Sequence, residues 1–357
     1  MTYDGYFSVS DAQLRTAIDQ DLAECATVWQ AEFEGGSREP VAAFCNILLR
    51  GGKRLRGMLA MQSYYAHGGR DEHVAIVAAR VFEFVQTYLL ILDDIADRSD
   101  MRRGGLSAHK LLETYAVNAD LKNDHEHYGA TQAMNAAVAG MHKATAEILD
   151  LDIDSGIVRR ALLSLHHNLA VTIDGQMNDI YNEVSRDIPT EDAIERVLTR
   201  KSAYYTILSP LELGACLAGK DGLSEPLHDY SIHTGCAFQI TDDTIGSFGN
   251  KDQTGKGTND DIHEGKMTLL VQYALKKGDN VQKSVLEATL GNCDASDADC
   301  DKVRDVLIAT GAKDYAETRS SWHKDEAFTA LDRAEDIDHT FIVFLHQLTD
   351  YITKRQS

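Results

Sequence analysis

Apolar residues recur at helical spacing along most of the chain. The clearest stretch, residues 74–98, is apolar except at a few positions, and this pattern predicts a helix that is buried on most sides. Strand-like alternation is hard to find, and the acidic stretches 118–127 and 292–301 have the composition of solvated loops. The same periodicity predicts further helices over 12–32, 40–66, 131–149, 157–183, 191–219, 226–247, 267–278, 301–309 and 327–354. The expected fold class is therefore all-α.

The scarcity of proline bears on the domain organisation. Only four prolines occur in 357 residues. Proline is excluded from helix interiors because it lacks the amide donor and clashes with the preceding turn. No linker rich in proline, serine or glycine interrupts the chain. We therefore expect one large helical domain over residues 1–357.

The charge balance excludes several classes of partner. The chain has 35 basic and 56 acidic residues, a formal net charge of −21, so its surface repels nucleic acids and anionic membranes. A diffuse acidic excess suits a cytosol rich in salt, which favours a halophilic source. The cysteines lack metal spacing, no signal peptide is visible, and no run of eighteen apolar residues would span a membrane. The sequence predicts a cytoplasmic protein.

Asp93 and Asp97 form the first constellation with chemical meaning. They lie one helical turn apart, so their carboxylates share a face and repel each other in an apolar helix. A divalent cation between them removes that repulsion, and a few hard oxygen ligands suit Mg²⁺, which is usually completed by a substrate phosphate. Gln86, seven residues earlier, lies on the same face and can donate to the same ligand. A solvated helix end is the alternative interpretation of this motif alone.

Two basic clusters stand out in this acidic chain. Arg102 and Arg103 can each donate forked hydrogen bonds to phosphate oxygens, while Lys53 offers a point charge. The pair Gly51-Gly52 precedes a predicted helix, whose N-terminal amides also favour an anion. Ordinary capping and solubility are the alternative interpretation.

A second acidic pair, Asp242-Asp243, lies far along the chain. Lys256 and Lys266 follow it, and the pair Lys201-Ser202 precedes it in another predicted helix. Two carboxylate-bearing helices, each backed by cations, fit a metal-bridged diphosphate site, because Mg²⁺ neutralises a leaving diphosphate and the basic side chains stabilise its developing charge.

Taken in order, these motifs resemble those of the trans-isoprenyl diphosphate synthases, the farnesyl and geranylgeranyl diphosphate synthase family. GGKRLRG at 51–57 resembles the family's GGKxxRP, and DDIADRSDMRRG at 93–104 resembles DDxxDxxxxRRG. KSA at 201–203 resembles KTA, and FQITDDTIG at 238–246 resembles FQxxDDxxD. TGKG and EGKMTLL resemble the closing lysine segments. The matches run from about residue 40 to 355 and resemble the archaeal short-chain type most.

The resemblance implies catalytic roles for these residues. Three Mg²⁺ ions per active site would be held by Asp93, Asp97 and Asp242, supported by Asp94 and Asp243. The diphosphate of isopentenyl diphosphate would be bound by Lys53, Arg56, Gln86 and Arg103. The allylic diphosphate would be bound by Arg102, Lys201, Ser202, Gln239, Lys256 and Lys266. Ionisation of the allylic C–O bond would give a carbocation, which the isopentenyl double bond attacks. The diphosphate product would take the proton that is lost.

The resemblance also implies an architecture. We expect an all-α bundle of ten or more helices around a central substrate cavity, with the two Asp-rich helices facing each other across its mouth. A homodimer is implied in the same way.

Three departures from the family pattern leave alternatives open. Gly57 stands where the family has proline, Ser202 replaces threonine and keeps the hydroxyl, and Gly246 replaces the last aspartate of the second motif. The missing ligand at Gly246 keeps open a non-catalytic regulatory subunit of a heteromeric synthase. A terpene cyclase also carries DDxxD, but it does not need Lys53 and Arg56 for a second diphosphate.

Product length depends on what closes the bottom of the pocket. Side chains one turn before Asp93 point toward the growing tail, and Tyr88 and Leu89 stand five and four positions before it. The aromatic Tyr88 resembles the arrangement in archaeal geranylgeranyl diphosphate synthases, while Leu89 leaves more room than a second aromatic residue would. We expect a C20 product, with C15 and C25 as alternatives. Tyr88 can also be a core residue, and that interpretation does not exclude a role in closing the pocket.

Overall fold

Helices make up almost all of the regular structure, as the apolar spacing predicts. The structure is a computed structural model that describes residues 12–249, 259–335 and 337–353. Its α-helices are α1 Ala12–Gln30, α2 Arg38–Leu49, α3 Leu55–Ala66, α4 Glu72–Ala96, α5 Ala108–Asn118, α6 His125–Leu149, α7 Ser155–Val184, α8 Glu191–Val197, α9 Ser209–Leu217, α10 Glu225–Phe248, α11 Asp260–Glu264, α12 Leu269–Lys277, α13 Asn280–Thr289, α14 Asp297–Ala309, α15 Ala312–Leu331 and α16 His339–Thr353. The all-α fold class is confirmed.

The remaining regular elements are short. A 3₁₀ turn covers Gly35–Ser37, and a π-helical segment, Leu198–Leu208, joins α8 to α9. Within the described residues the strands are β1, Met101–Arg102, and β2, Gly105–Leu106, which pair antiparallel as a minimal hairpin.

Most predicted helices are present, two predicted stretches are each interrupted by non-helical residues, and α6 begins at His125 rather than at 131. The stretch 40–66 is two helices, because Gly51, Gly52 and Arg54 have φ values of 80°, 132° and 50°, which no continuous α-helix accommodates. The stretch 327–354 contains the end of α15 and all of α16. By contrast, the stretch 191–219 is a continuous helical rod through α8, the π segment and α9, as predicted.

Helices α5, α11, α13 and most of α15 are missing from the prediction. Helix α15 faces the core with small residues, among them Ala312, Ala316, Ser320 and Ala327. Small side chains contribute little to an apolar periodicity, so a helix that packs through them closely leaves a weak pattern in the sequence.

The chain forms two compact units. Unit 1 comprises residues 1–164 and 210–222, and unit 2 comprises residues 165–209 and 223–357. The expectation of a single domain over residues 1–357 stays a prediction.

Unit 1 packs around α4. Trp29, Phe44 and Phe84 form an aromatic cluster with ring centroids 5.4–5.6 Å apart. Gly140 of α6 lies directly against Phe44, since a Cβ at that glycine would be 2.2 Å from the ring. This packing fixes the helix that carries the first acidic motif.

Among the described residues, α4 is also the helix long and apolar enough to cross a membrane, by length and composition alone. Of its most apolar window, 67% is buried inside the protein. A buried core helix passes the same test, so this is weak evidence for a membrane span.

Unit 2 packs around α10. Gly235 allows a close approach to the π segment, because a Cβ there would lie 2.3 Å from the Cα of Ala203. Tyr230, which is fully buried, donates a hydrogen bond to the Leu345 carbonyl at 3.0 Å and so joins α10 to α16. The helix that carries the second acidic motif is thus held on several sides.

Candidate active site

The first acidic motif lies at the C-terminal end of α4. Asp97 caps the helix, and its backbone N–H donates to the Asp93 carbonyl at 2.8 Å. Asp93 and Asp97 are partly exposed, whereas Asp94 is fully buried. The helical spacing therefore presents two carboxylates to solvent on one face and turns the third inward.

The buried carboxylate is matched by an arginine from the hairpin. Arg102 Nε donates to Asp94 Oδ1 at 2.6 Å, and its Nη2 donates to the same oxygen. The same Nη2 lies 3.6 Å from Asp93 Oδ2. This ion pair compensates the charge of the desolvated carboxylate through Oδ1 and fixes the end of α4 against the hairpin.

Arg50 holds the hairpin in place from the end of α2. Its Nη1 donates to the Arg102 and Leu106 carbonyls at 2.8 and 2.6 Å. Gly105 leaves space for it, because a Cβ there would lie 2.8 Å from the Arg50 guanidinium. Sequence reasoning missed Arg50, since a lone arginine before a glycine pair gives no distinctive signal.

The structure brings the two basic clusters of unit 1 together. A Cβ at Gly52 would lie 3.4 Å from Arg103 Nη2, so the Arg103 guanidinium lies against Gly52. Lys53 is exposed beside it, and Arg56 is partly buried in the first turn of α3. Arg103 therefore lies against the residue that precedes Lys53, and their shared binding of one diphosphate stays a prediction.

Arg54, in the middle of the same motif, has a structural role. Its Nη1 donates to Glu83 Oε2 at 2.8 Å, and both side chains are 1% exposed. Gly57 N donates to the other Glu83 oxygen at 3.3 Å. A proline at position 57 would lack that donor, which gives a physical reason for the departure from the family pattern.

Three further predicted residues lie along α4. Gln86, Tyr88 and Leu89 are partly buried, one to two turns before the acidic motif. Burial raises the pKa of the Tyr88 hydroxyl, which keeps it neutral and suited to an apolar wall.

In unit 2, a hydrogen-bonded chain leads from the π segment to the second acidic motif. Ser202 Oγ donates to Gln239 Oε1 at 2.8 Å, and Gln239 Nε2 donates to Asp243 Oδ1 at 2.7 Å. Three predicted residues on two elements are therefore brought together. The amide of Gln239 is oriented by the hydroxyl on one side and the carboxylate on the other.

Asp243 is electrostatically unusual. Burial raises its pKa to about 8, and the neighbouring carboxylates of Asp261 and Asp242 act in the same direction. The hydrogen bond from Gln239 and the charge of Lys266 oppose this rise in pKa. Asp242, in the preceding position, is exposed. A cation bound among these carboxylates would favour their ionised forms.

Asp261 of α11 occupies the space beside Gly246. A Cβ at Gly246 would lie 2.1 Å from Asp261 Oδ2, so no larger residue fits while Asp261 keeps this position. The sequence predicts a missing carboxylate at Gly246, and the structure places a carboxylate from another helix against it. Sequence reasoning missed Asp261, although it stands four residues after the last glycine of TGKG and five before Lys266.

The lysines of unit 2 are paired with acids. Lys201 Nζ contacts Asp179 Oδ2 of α7 at 2.5 Å. Lys266 Nζ lies 2.8 Å from Glu264 and 3.5 Å from Asp261. Asp179 was also missed, because it reads as one polar position in a long helix. Lys256 lies outside the described residues.

The π segment explains how Lys201 reaches its position. Gly175 of α7 packs so closely that a Cβ there would be 2.2 Å from the Lys201 backbone nitrogen. The wider π turn sets Lys201 and Ser202 on adjacent faces, and π segments of this kind are frequent at functional sites.

The donor set of both motifs fits a hard divalent cation. Mg²⁺ and Ca²⁺ bind preferentially to oxygen ligands such as carboxylates. In unit 1 the exposed oxygens belong to Asp93 and Asp97, and in unit 2 the corresponding group consists of Asp242, Asp243 and Asp261.

Comparison with known proteins identifies the family to which this chain belongs. The chain belongs to the polyprenyl synthetase family, whose model matches residues 39–307. It is thus a prenyltransferase, and it is of the trans-isoprenyl diphosphate synthase type. The resemblance drawn from the motifs is confirmed.

Individual relatives are synthases named for products of different chain length. A geranylfarnesyl diphosphate synthase of Aeropyrum pernix is 29% identical over 316 residues, covering 88% of this chain and 93% of that protein. A geranylgeranyl pyrophosphate synthase of Geoglobus acetivorans is 30% identical over 310 residues, covering 86% and 88%. The crystal structure of a Corynebacterium glutamicum geranylgeranyl pyrophosphate synthase, complexed with isoprenyl diphosphate and magnesium, is similar with a TM-score of 0.87 and 28% identity, covering 96% and 98%.

Proposed function

We propose that this protein is a Mg²⁺-dependent prenyltransferase that condenses isopentenyl diphosphate with allylic diphosphates, with geranylgeranyl diphosphate (C20) as its main product. The observation that carries the proposal is that two helices present carboxylate clusters, each next to the basic or amide side chains that bind diphosphate. Mg²⁺ bound there would neutralise the charge of the leaving diphosphate.

Asp93, Asp97 and Asp242 are the proposed metal ligands, with three ions per site. Asp94 is a positioning residue, because its carboxylate is committed to Arg102. Asp243 supports Asp242, and we add Asp261 as the carboxylate that replaces the one absent at Gly246. Its position argues against the regulatory-subunit alternative, which rested on Gly246 alone.

The basic and amide groups divide between two diphosphates. In the proposed arrangement the isopentenyl diphosphate is held by Lys53, Arg56, Gln86 and Arg103. The allylic diphosphate is held by Arg102, Lys201, Ser202, Gln239, Lys256 and Lys266. An ion pair with Asp179 now occupies Lys201, so substrate binding must exchange that acid partner for phosphate oxygens.

These groups favour ionisation because they bind the leaving group more strongly as its charge grows. The carbocation is then attacked by the isopentenyl double bond, and the diphosphate oxygen takes the proton. Among the residues of this chain, the apolar wall that includes Tyr88 and Leu89 would keep water from the cation.

The product length rests on Tyr88 as the floor of the tail pocket. A C20 product agrees with the Geoglobus relative, whereas the Aeropyrum relative is named for a C25 product. C15 and C25 therefore stay as alternatives. A homodimer and a cytoplasmic location are part of the proposal, supported by family membership, and the net charge of −21 supports a halophilic source.

One assay tests this function. Purified protein is incubated with isopentenyl diphosphate, each allylic diphosphate and Mg²⁺ at several salt concentrations, and the dephosphorylated products are sized. We expect elongation to C20 that is abolished by a chelator and restored by Mg²⁺. Absence of elongation with every primer would favour the regulatory subunit, and cyclic hydrocarbons would favour a terpene cyclase.

A further inference from the structure

A second cluster of potential metal ligands lies in unit 2, on the side of α10 that carries Cys236. One ligand atom each from Glu195, Cys236 and His323 lies within 4.8 Å of the other two. Cys236 is fully buried and His323 is 4% exposed. These residues come from α8, α10 and α15, and the motifs of the diphosphate site use none of them.

The geometry suits a small tetrahedral ion. His323 Nε2 lies 3.2 Å from Glu195 Oε2. Two ligands about 2.0–2.1 Å from one zinc ion at a tetrahedral angle stand roughly 3.3 Å apart. The observed separation therefore leaves room for an ion bound to both atoms, with the thiol sulfur as the third ligand.

Neighbouring side chains orient these ligands as an outer shell would. His323 Nδ1 lies 3.0 Å from His233 Nδ1, so a proton on Nδ1 of His323 can be donated to His233. That tautomer leaves Nε2 as a lone pair directed toward Glu195. Arg319 Nη2 donates to Glu195 Oε1 at 2.6 Å, which leaves Oε2 available. Ligating histidines and carboxylates commonly have such partners.

The cluster has a route to solvent. Glu195 and Thr199 line an open cavity of about 610 Å³ on the surface of unit 2. Thr199 Oγ1 lies 3.6 Å from Cys236 Sγ, so a residue that lines the cavity also contacts the buried sulfur. A buried site needs such a path for an ion to enter.

We infer that Glu195, Cys236 and His323 form a site for a borderline-soft divalent metal ion, Zn²⁺ by preference, with water as the fourth ligand and His233 as the outer-shell partner of His323. Binding converts the Cys236 thiol to a thiolate and releases one proton to solvent, while His323 keeps its single proton on Nδ1. The ion joins α8, α10 and α15, and so fixes the helix on which Gln239 and Asp242 lie.

Cobalt spectroscopy tests this site without reference to turnover. Chelator-treated full-length protein is titrated with Co²⁺ in excess Mg²⁺, which occupies the oxygen-only sites. We expect one equivalent of Co²⁺ to give strong tetrahedral d–d bands and a thiolate charge-transfer band. One equivalent of Zn²⁺ should remove both, because Zn²⁺ binds such sites more tightly than Co²⁺.

Matched variants separate this site from other thiols. Cys236→Ser should abolish the charge-transfer band, and His233→Gln should weaken metal affinity about 10–100-fold while keeping the band. Cys300→Ser is the control, because Cys300 is also buried and its Sγ lies 3.5 Å from Nε2 of His263. Circular dichroism verifies folding of each variant. No charge-transfer band in the wild type, or a band that survives in folded Cys236→Ser and is lost in Cys300→Ser, would overturn the inference.

Discussion

The two acidic motifs differ in how the negative charge of Asp94 and that of Asp243 are balanced. At the end of α4, the buried Asp94 is paired with Arg102, and the carboxylates of Asp93 and Asp97 remain toward solvent. In unit 2, Asp243 has an amide partner and two carboxylate neighbours, and its pKa rises to about 8. The buried carboxylate of the first motif is therefore balanced by an arginine of the chain, whereas the second motif is left with carboxylate repulsion that a bound cation would relieve.

Removal of a proposed metal-binding carboxylate from either motif should cause the largest loss of activity. We expect Asp93→Ala and Asp242→Ala each to lower kcat by about 10³-fold, because loss of a metal ligand removes several kcal/mol of transition-state stabilisation. Steady-state assays at saturating Mg²⁺ measure this. The exposed Asp305 provides the control, and Asp305→Ala should retain activity. Wild-type rates in either test variant would remove that motif from the mechanism.

Breaking the ion pair of the first motif should mainly affect stability. Arg102→Met leaves Asp94 buried without a counter-charge, and we expect a loss of about 3–5 kcal/mol in the free energy of unfolding. Urea denaturation measures it.

The double variant Asp94→Asn/Arg102→Met separates the charge from the packing. Because it removes the unpaired carboxylate, it should regain part of the lost stability. If the double variant is as unstable as Arg102→Met, then packing rather than charge holds the hairpin to α4.

These contrasts show what the sequence could reveal. The spacing of Asp93 and Asp97 follows from helical geometry, so the shared face is readable from the chain alone. The role of Arg102 toward Asp94 depends on a two-residue hairpin, and such a short element leaves almost no periodic signal. Asp261 and Asp179 come from separate helices, and their contacts with position 246 and Lys201 arise only from packing. The fold class was predictable because it depends on the helical periodicity of apolar residues. Helix α15 was not predictable, because the residues that it buries have small side chains.

The relation between Gly246 and Asp261 can be tested by exchange. We expect Gly246→Asp to lower kcat about 10–100-fold, because the new side chain collides with Asp261 and adds a like charge. Gly246→Ala introduces the collision without the charge and should have a smaller effect. The exchange Gly246→Asp/Asp261→Gly should recover activity if one carboxylate is needed in that space. An exchange variant as poor as Gly246→Asp would show that Asp261 does not substitute for it.

The raised pKa of Asp243 predicts a pH dependence for the metal-free protein. Between its unfolded value of about 3.9 and its folded value of about 8, the folded state binds more protons. Stability therefore falls as pH rises through that window and levels off above it. With a chelator present, we expect the Tm of the wild type to fall between about pH 5 and pH 8 by more than the Tm of Asp243→Asn. A change of 1 kcal/mol in the free energy of unfolding shifts Tm by about 2–4 °C. Saturating Mg²⁺ should reduce this difference. Parallel Tm curves for the two proteins would contradict the assigned pKa.

Substitution of Tyr88 should have the smallest effect on the reaction rate, because this residue is proposed to limit the length of the product. It lies on α4 five residues before Asp93, partly buried in unit 1, and it is not one of the proposed metal ligands. If Tyr88 closes the tail pocket, Tyr88→Ala removes that floor and elongation continues beyond C20, while kcat for the first condensation changes less than tenfold. Tyr88→Phe keeps the ring and should keep the C20 product, which separates volume from the hydroxyl. Chromatographic sizing of the dephosphorylated products measures both. Products of Tyr88→Ala no longer than those of the wild type would assign the floor to another side chain, with Leu89→Ala as the next variant to compare.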